Sequence, residues 1–224
     1  MPCITQNTTR IMERAWCGCG NRWRGALPRA IGRRIFATMS PSPILQALRL
    51  ETRPAHDHLE QNTFNQQLTA GTITEAATKH FLAKMYGFLT PYEARLRQQD
   101  LGPEWETDTR QRAHLILEDL QLSASQVASC PDMPPLGTWP QLLGAMYVVE
   151  GSTLGGQVIA RQLAKANIPL RSYFSGYAER TGPLWKLFCQ LLTQEATPEN
   201  EAEIVQSASL TFQKLDAWLN QPLA

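Results

Sequence analysis

The chain has 224 residues, of which 43% are hydrophobic and 18% are charged, and its formal net charge at pH 7 is +1. This length favours a single domain with a substantial buried core. The sequence contains no run of 18 apolar residues, so it predicts no membrane span, and its charge balance argues against a nucleic-acid partner.

Residues 1–39 differ in composition from the rest of the chain. They hold seven arginines and one glutamate, a charge of +6, which leaves −5 for the remainder. They lack hydrophobic periodicity and the apolar core of a secretory signal. We expect residues 1–39 to be a disordered or loosely helical extension before a helical domain at 40–224. An organelle transit peptide is the alternative, and Met39 is a candidate natural start.

The five cysteines show no framework of paired spacings. An odd, scattered set favours reduced thiols and therefore a cytoplasmic protein. Cys17-Gly18-Cys19 could hold a metal in principle, but no second pair completes a four-ligand site.

The first helix of the domain is predicted from Pro43. Its apolar positions recur at alternating spacings of three and four, which is typical of an amphipathic helix. Pro54 removes one backbone hydrogen bond, so we expect a kink or a restart near Thr52. His56 falls at the edge of the apolar stripe, and Glu60 lies one turn further along the same face.

Three more helices are predicted before residue 131. Thr74 can cap a helix that bends at Gly87 or Pro91 and ends near 101–103. A further helix is expected from about Thr107 to Leu120. The segment 123–130 is expected to form a short helix with a serine cap.

A long helix is predicted from about Trp139 to Ala166, with Thr138 as its cap and Pro140 in its first turn. Three interior glycines would each cost about 1 kcal/mol relative to alanine, so something is expected to touch the backbone there. Gly151 and Gly155 share a face, and Gly156 widens the bare strip. Close helix packing is the competing explanation. A phosphate-binding loop is disfavoured because the glycine spacing and the βαβ context are both missing.

The rest of the chain is also predicted to be helical. An irregular aromatic segment holds Tyr173, Phe174 and Tyr177. Helices are then expected at about 184–194 and 199–219, separated by Thr197-Pro198. No segment alternates as a strand, so the predicted fold is all-α, a single-domain bundle of seven or eight helices.

The histidines match none of the common metal-binding or catalytic spacings. Metalloprotease spacing such as H-E-x-x-H is absent, and no Ser-His-Asp order is supported by a nucleophile elbow. A histidine at the edge of an apolar stripe is commonly a core residue with one hydrogen bond. The alternative for His56 is an axial heme ligand whose second ring nitrogen is held by Glu60.

Two segments resemble motifs of the heme oxygenase family. The run 48–60, LRLETRPAHDHLE, is similar to the proximal-helix motif. The run 147–159, YVVEGSTLGGQVI, is similar to the distal-helix motif in the E-G-S-x-L-G-G form of bacterial members. The order and separation also match, and the likeness covers about Ile44 to Leu219. The resemblance implies a heme-oxygenase-like bundle with heme between a proximal and a kinked distal helix.

The resemblance also implies roles on the heme-binding side. His56 would be the axial ligand of the heme iron, and Glu60 would orient it. Arg49 would pair with one heme propionate and Lys186 with the other, although an ordinary exposed lysine fits Lys186 equally well. Phe212 would belong to the apolar heme pocket, although an ordinary core position fits it equally well.

On the opposite side, the resemblance makes Gly151, Gly155 and Gly156 the distal glycines that approach the heme face. Tyr86 resembles a distal tyrosine within an ordered-water network. Mammalian members carry an aspartate where this chain has Ser152, so the proton path must differ. We expect it to use Ser152, Tyr86 and water.

The implied activity is oxidative cleavage of heme to biliverdin, carbon monoxide and ferrous iron, with heme as both cofactor and substrate. It implies O2 and electrons from an external reductase or ferredoxin, hence an electron-donor protein as partner. A bilin acceptor such as a phytochrome is a further candidate partner. Iron scavenging and bilin supply fit the sequence equally.

Three other functions compete with this interpretation. A heme-binding carrier or sensor would keep the pocket without turnover, which the loss of the acid at Ser152 favours. A thiaminase-like hydrolase would need a nucleophilic cysteine, but Cys130 lies in a predicted loop and Cys189 has no evident base. In a structural interaction domain, His56 and the glycines would only pack.

Overall fold

The computed structural model describes residues 42–221, and the extension predicted at 1–39 lies outside these residues. The described chain forms eight α-helices and no strand, which confirms the all-α prediction. No helix in the described part is both long enough and apolar enough to cross a membrane. The helices are α1 (Pro43–Leu59), α2 (Thr63–Ala70), α3 (Glu75–Arg97), α4 (Thr107–Arg110), α5 (Ala113–Leu120), α6 (Trp139–Lys165), α7 (Thr181–Glu195) and α8 (Glu201–Leu219).

The long helix α6 is the centre of the bundle. It packs most extensively against α8, and α8 also packs against α1. Gly144 permits the α6–α8 approach, because a methyl group there would collide with the carbonyl oxygen of Ile204. The predicted cap is confirmed: the Thr138 hydroxyl accepts the Gln141 N–H, within a capping box. Close helix packing therefore explains Gly144, which lies outside the strip formed by Gly151, Gly155 and Gly156.

Helix α1 runs through Pro54 without interruption, so the predicted restart at Thr52 is wrong. Proline at 54 deprives the carbonyl of Leu50 of its helical donor, and Leu50 is 69% exposed, so water can satisfy it. The Thr52 hydroxyl instead donates to the carbonyl oxygen of Leu48, at 2.7 Å. Because the helix continues, His56 and Glu60 keep the i, i+4 relation predicted from the sequence.

Helix α3 also continues through its proline. Thr74 caps it as predicted, accepting from the Ala77 N–H. Pro91 frees the carbonyl of Gly87, and the Cys130 N–H donates to that oxygen at 2.9 Å. The loop before α6 is therefore tied to α3 at the point where proline breaks the helical ladder.

Replacement of Gly87 with alanine is expected to destabilise the protein by about 1–3 kcal/mol. The added methyl group would collide with the carbonyl oxygen of Ala128, part of the backbone segment anchored by Cys130. The matched control is Gly182→Ala in α7, where a methyl group meets nothing within 4 Å. That change should be neutral or stabilising by up to about 1 kcal/mol. Urea unfolding of both variants measures the difference, and equal midpoints would contradict the expectation.

The helix predicted from Thr107 to Leu120 is divided, because Gln111 adopts an extended conformation. The cause is Glu93 on α3. Its Oε1 accepts the backbone N–H groups of Arg112, at 2.7 Å, and Ala113, at 2.9 Å. A buried carboxylate thus caps α5 from another helix and turns Arg112 towards the interior.

Two smaller differences concern turns. The short helix expected at 123–130 is a single 3₁₀ turn, Ala124–Gln126, closed by a capping box between Ser123 and Gln126. The last two helices are confirmed with shifted starts: α7 begins at Thr181, and α8 begins at Glu201 after an Asn200 cap position.

Candidate functional site

An open cleft lies between α1, α3, α6, α8 and the 3₁₀ turn Tyr173–Ser175. About 920 Å³ of space, open solvent at the mouth included, lies between its walls. Its walls are mainly apolar. Seven of the predicted site residues line it: His56, Glu60, Gly151, Ser152, Gly155, Gly156 and Phe212.

His56 projects from α1 between two carboxylates. Its Nε2 lies 3.6 Å from Oε1 of Glu60, and its Nδ1 lies 3.7 Å from Oδ1 of Asp57. The ring meets Phe212 edge-on, with centroids 5.6 Å apart. Among the described residues, His56, Asp57 and Glu60 form the one cluster whose ligand atoms could hold a metal ion. An imidazole fixed between acceptors in this way is suited to binding a metal through one nitrogen.

The imidazole of His56 is expected to be neutral near pH 7. Burial lowers its pKa below 6.5, and Asp57 opposes this only in part. The neutral ring is the form that binds a metal. Since the folded-state pKa lies below the unfolded value, this group contributes stability above pH 6.5 that is lost as the pH falls towards the folded-state pKa.

A proton NMR titration of the ligand-free protein should therefore give His56 a midpoint below pH 6.5. The resonance is assigned by its disappearance in His56→Ala. A midpoint at or above 6.5 would show that Asp57 outweighs burial, and the imidazole would then compete less well for a metal at neutral pH.

The opposite wall of the cleft is the glycine strip of α6. Ser152 and Thr153 donate their hydroxyl protons back to the carbonyl oxygens of Val149, at 2.7 Å, and Glu150, at 2.6 Å. Gly156 has a second role that the sequence did not show. A methyl group there would lie 2.7 Å from the carbonyl oxygen of Phe174. The glycine therefore lets the aromatic segment close one side of the cleft.

Three predicted residues are not brought to the cleft. Tyr86 is buried on α3, but its neighbour Met85 lines the cleft, and successive helical residues point about 100° apart. Arg49 is exposed on α1, and Lys186 is exposed on α7. Their expected roles with water and propionates stay predictions.

Two residues not predicted from the sequence, Arg112 and Tyr173, line the cleft beside Ser152. Arg112 is only 3% exposed, and its Nη2 donates to the carbonyl oxygen of Val149 at 3.5 Å. Its guanidinium carbon lies 5.0 Å from the ring centre of Tyr173 and 5.2 Å from that of Tyr177. An arginine at the start of an apolar helix was the available signal, because such a charge needs buried partners.

Burial and neighbouring charge set the ionisation of this group. Burial alone would lower the pKa of Arg112, but Tyr177, Tyr173 and Glu150 raise it above its usual value. Burial raises the pKa of Tyr173. Near pH 7, Arg112 is therefore a fixed cation, and Tyr173 keeps its hydroxyl proton.

Glu150 turns away from the cleft. Its Oε2 accepts from Nη1 of Arg110 in an ion pair whose side chains are 0% and 1% exposed. Its Oε1 accepts from the Tyr177 hydroxyl at 2.9 Å. Glu150 therefore ties α4 and the aromatic segment to α6, and it leaves the α6 wall of the cleft without a carboxylate among the described lining residues.

Comparisons with known proteins agree with this geometry. The family model described as Heme oxygenase matches residues 42–221. A heme oxygenase of Xanthomonas campestris pv. campestris is 30% identical over 135 residues, covering 58% of this chain and 79% of that protein.

Two solved structures share the fold. The heme oxygenase of Leptospira interrogans aligns with a TM-score of 0.67 at 18% identity, covering 79% of this chain and 98% of that chain. The heme oxygenase-1 of the cyanobacterium Synechocystis, solved in complex with heme, aligns with a TM-score of 0.64 at 17% identity, covering 79% of this chain and 90% of that chain.

Proposed function

The chain belongs to the heme oxygenase family, and from this premise we propose that it cleaves heme oxidatively to biliverdin, carbon monoxide and ferrous iron. The observation that carries the proposal is the pairing of two walls: His56 on α1 and the glycine strip of α6 line the same apolar cleft. Heme is the substrate, and O2 with electrons from an external reductase or ferredoxin completes the reaction.

The described residues fit heme in three respects. The cleft is open to solvent and is lined mainly by apolar side chains, which suits a flat apolar macrocycle. His56 supplies a nitrogen ligand for the iron from one side. Gly151 and Gly155 line the opposite wall, where the absence of side chains leaves room for a macrocycle to lie flat. When bound, heme supplies the iron that activates O2 and the carbon that is oxidised.

The protein contributes binding, orientation and exclusion of water. In this proposal Glu60, whose Oε1 lies 3.6 Å from Nε2 of His56, orients the imidazole and keeps the ligand basic. Phe212 packs edge-on against the same imidazole and restricts its rotation. In this proposal Arg49 and Lys186 pair with the heme propionates, and Tyr86 joins an ordered-water network.

The cellular setting is part of the proposal. The two cysteines among the described residues, Cys130 and Cys189, are buried free thiols, which supports a cytoplasmic location. An electron-donor protein is the required partner, and a bilin acceptor such as a phytochrome is the proposed recipient of the product.

One observation favours the heme carrier or sensor as the second candidate. The α6 wall presents Ser152 where mammalian relatives present an acid, and the Ser152 hydroxyl proton is already donated to Val149. A pocket with no proton source would bind heme without degrading it.

Reconstitution of the full chain with hemin, followed by ascorbate under air, tests the proposal. Loss of the Soret band with growth of the broad red absorption of biliverdin is the expected result. Catalase is added so that free peroxide cannot degrade heme in the control without protein. A Soret band that persists under reductant would establish the carrier or sensor, and failure to bind hemin would overturn both.

A further inference from the structure

We propose that the Tyr173 hydroxyl, held in place by Arg112, is the hydrogen-bond donor on the glycine-strip side of the cleft, in place of an acidic residue at 152. Tyr173 belongs to the 3₁₀ turn after α6, and Arg112 precedes α5. The inference rests on the proposed function, because it assigns a donor to the face of the heme opposite His56.

Ser152 and Arg112 share one hydrogen-bond acceptor, the carbonyl oxygen of Val149. Ser152 Oγ lies 2.7 Å from the carbonyl oxygen of Val149, and Arg112 Nη2 lies 3.5 Å from the same oxygen. The guanidinium and the serine hydroxyl therefore converge on one backbone carbonyl. All three side chains, Tyr173 included, line the same cleft.

The three side chains differ in which hydrogen bonds they can donate. Arginine can only donate hydrogen bonds, and the Ser152 hydroxyl proton is already directed at the carbonyl oxygen of Val149. The Tyr173 side chain lies beside both groups: its ring centre is 5.0 Å from the guanidinium carbon of Arg112, and it lines the cleft together with Ser152. A tyrosine hydroxyl can donate and accept, so its proton can be directed towards a ligand in the cleft.

Tyr173 and Arg112 are both held rigidly by their surroundings. Tyr173 is 5% exposed and meets the Phe174 ring edge-on at 5.5 Å. Two oxygens of Asp119 accept the backbone N–H groups of Ser172 and Tyr173, each at 3.0 Å. Glu93 fixes the backbone of Arg112 through its N–H. A donor held from two sides in this way costs little reorganisation when a ligand arrives.

Buried Arg112 also has spare donor capacity. Its Nε has no hydrogen-bond partner among the described residues and is inaccessible to solvent. A buried donor of this kind is normally satisfied by an ordered water or a ligand. The guanidinium can therefore bind a water, and that water would be a further hydrogen-bond donor in the cleft.

The test compares Tyr173→Phe with Tyr92→Phe in the full chain. Both changes remove one buried hydroxyl, but Tyr92 does not line the cleft, and its hydroxyl has no partner among the described residues. Phenylalanine at 173 keeps the ring packed against Arg112, so folding and hemin affinity should be unchanged. Heme turnover should fall about 100-fold in Tyr173→Phe, which is the loss typical of one positioned donor, and should be unaltered in Tyr92→Phe.

The carbon–oxygen stretching frequency of the ferrous carbon monoxide complex supplies a readout independent of turnover. A nearby donor lowers this frequency because it favours electron donation from the iron into the ligand. Tyr173→Phe should raise the frequency, and Arg112→Lys, which keeps the charge but loses the planar fork, should shift it the same way.

The outcomes separate this inference from the proposed function. An unchanged frequency in Tyr173→Phe would overturn the inference while wild-type turnover still supports the oxygenase. A shift caused by Tyr86→Phe in its place would assign the donor to Tyr86. No shift in Arg112→Lys would remove Arg112 from the positioning role. Failure of the wild-type chain to bind hemin would overturn the proposed function itself.

Discussion

His56→Ala is expected to abolish the histidine-ligated Soret spectrum and to reduce heme turnover by well over 100-fold. Loss of an outer partner of a metal ligand costs about 10- to 100-fold, and loss of the ligand itself should cost more. His56 is the one histidine among the described residues lining the cleft, and its imidazole lies 3.6 Å from Glu60 and edge-on to Phe212. Without it, the described α1 residues that line the cleft would offer no nitrogen ligand to a heme iron.

The matched control is His58→Ala. His58 lies two residues further along α1, its side chain is 72% exposed, and its Nδ1 is 3.1 Å from Oδ2 of Asp216. This change removes the same ring from the same helix outside the cleft, so the spectrum and the turnover should be retained. Circular dichroism should show wild-type helicity for both variants, because neither imidazole belongs to the main core.

Added imidazole provides a further check. A small ligand can enter the space left by the deleted ring, so it should restore the Soret position of His56→Ala in a concentration-dependent way. Glu60→Gln should keep ligation but weaken it, with a loss of about 10- to 100-fold in heme affinity or activity. A wild-type spectrum in His56→Ala without added imidazole would contradict the assignment of the ligand.

Arg110→Ala is expected to destabilise the protein by about 3–5 kcal/mol, the cost of leaving a buried charge without its partner. The change strands the carboxylate of Glu150, whose side chain is 1% exposed. It also removes the hydrogen bond from Arg110 Nε to the carbonyl oxygen of Trp105, at 2.6 Å. The Tyr177 hydroxyl alone then remains on Glu150, and a single neutral donor does not compensate a buried charge.

The control for this prediction is Arg180→Ala. Arg180 pairs with Glu106 at 2.6 Å, but its side chain is 57% exposed, so the loss should be below about 1 kcal/mol. Urea unfolding at pH 7 measures both variants. Equal losses would contradict the view that burial of the Arg110–Glu150 pair, rather than its geometry, sets its contribution.

The double variant Arg110→Met with Glu150→Leu refines this prediction. Replacing both charges with apolar side chains removes the stranded carboxylate, so much of the stability lost in Arg110→Ala should return. Heme binding by this variant would show that the ion pair stabilises the bundle without being needed for the cleft. The Tyr177 hydroxyl, which loses its acceptor, limits how complete the recovery can be.

Local spacing in the sequence determined most of the helices. Thr74 and Thr138 mark helix starts because an N-cap acts within three residues of itself. The i, i+4 relation of His56 and Glu60 follows from helical geometry alone, and so does the shared face of Gly151 and Gly155. These residues could be proposed as a site before any tertiary contact was known.

Prolines were predicted less well, because their effect depends on what replaces the missing hydrogen bond. At Pro54 the freed carbonyl belongs to exposed Leu50, and at Pro91 it is satisfied by Cys130, which lies 43 positions from Gly87 along the chain. Neither replacement can be read from the helix itself, so a kink or restart was expected near Thr52 and a bend at Gly87 or Pro91, and the structure keeps both helices continuous.

Only the tertiary structure decided which buried polar groups meet. Glu93 divides the 107–120 segment from 19 residues away and turns Arg112 into the cleft. The ion pair with Arg110, 40 residues earlier, keeps the Glu150 carboxylate away from the cleft. Spacing along a helix fixes which residues share a face, but the partner of a buried charge is set by the packing of distant helices. The residues of the two walls could therefore be predicted from the sequence. Only the packing of distant helices placed Tyr173 and Arg112 beside them as polar groups.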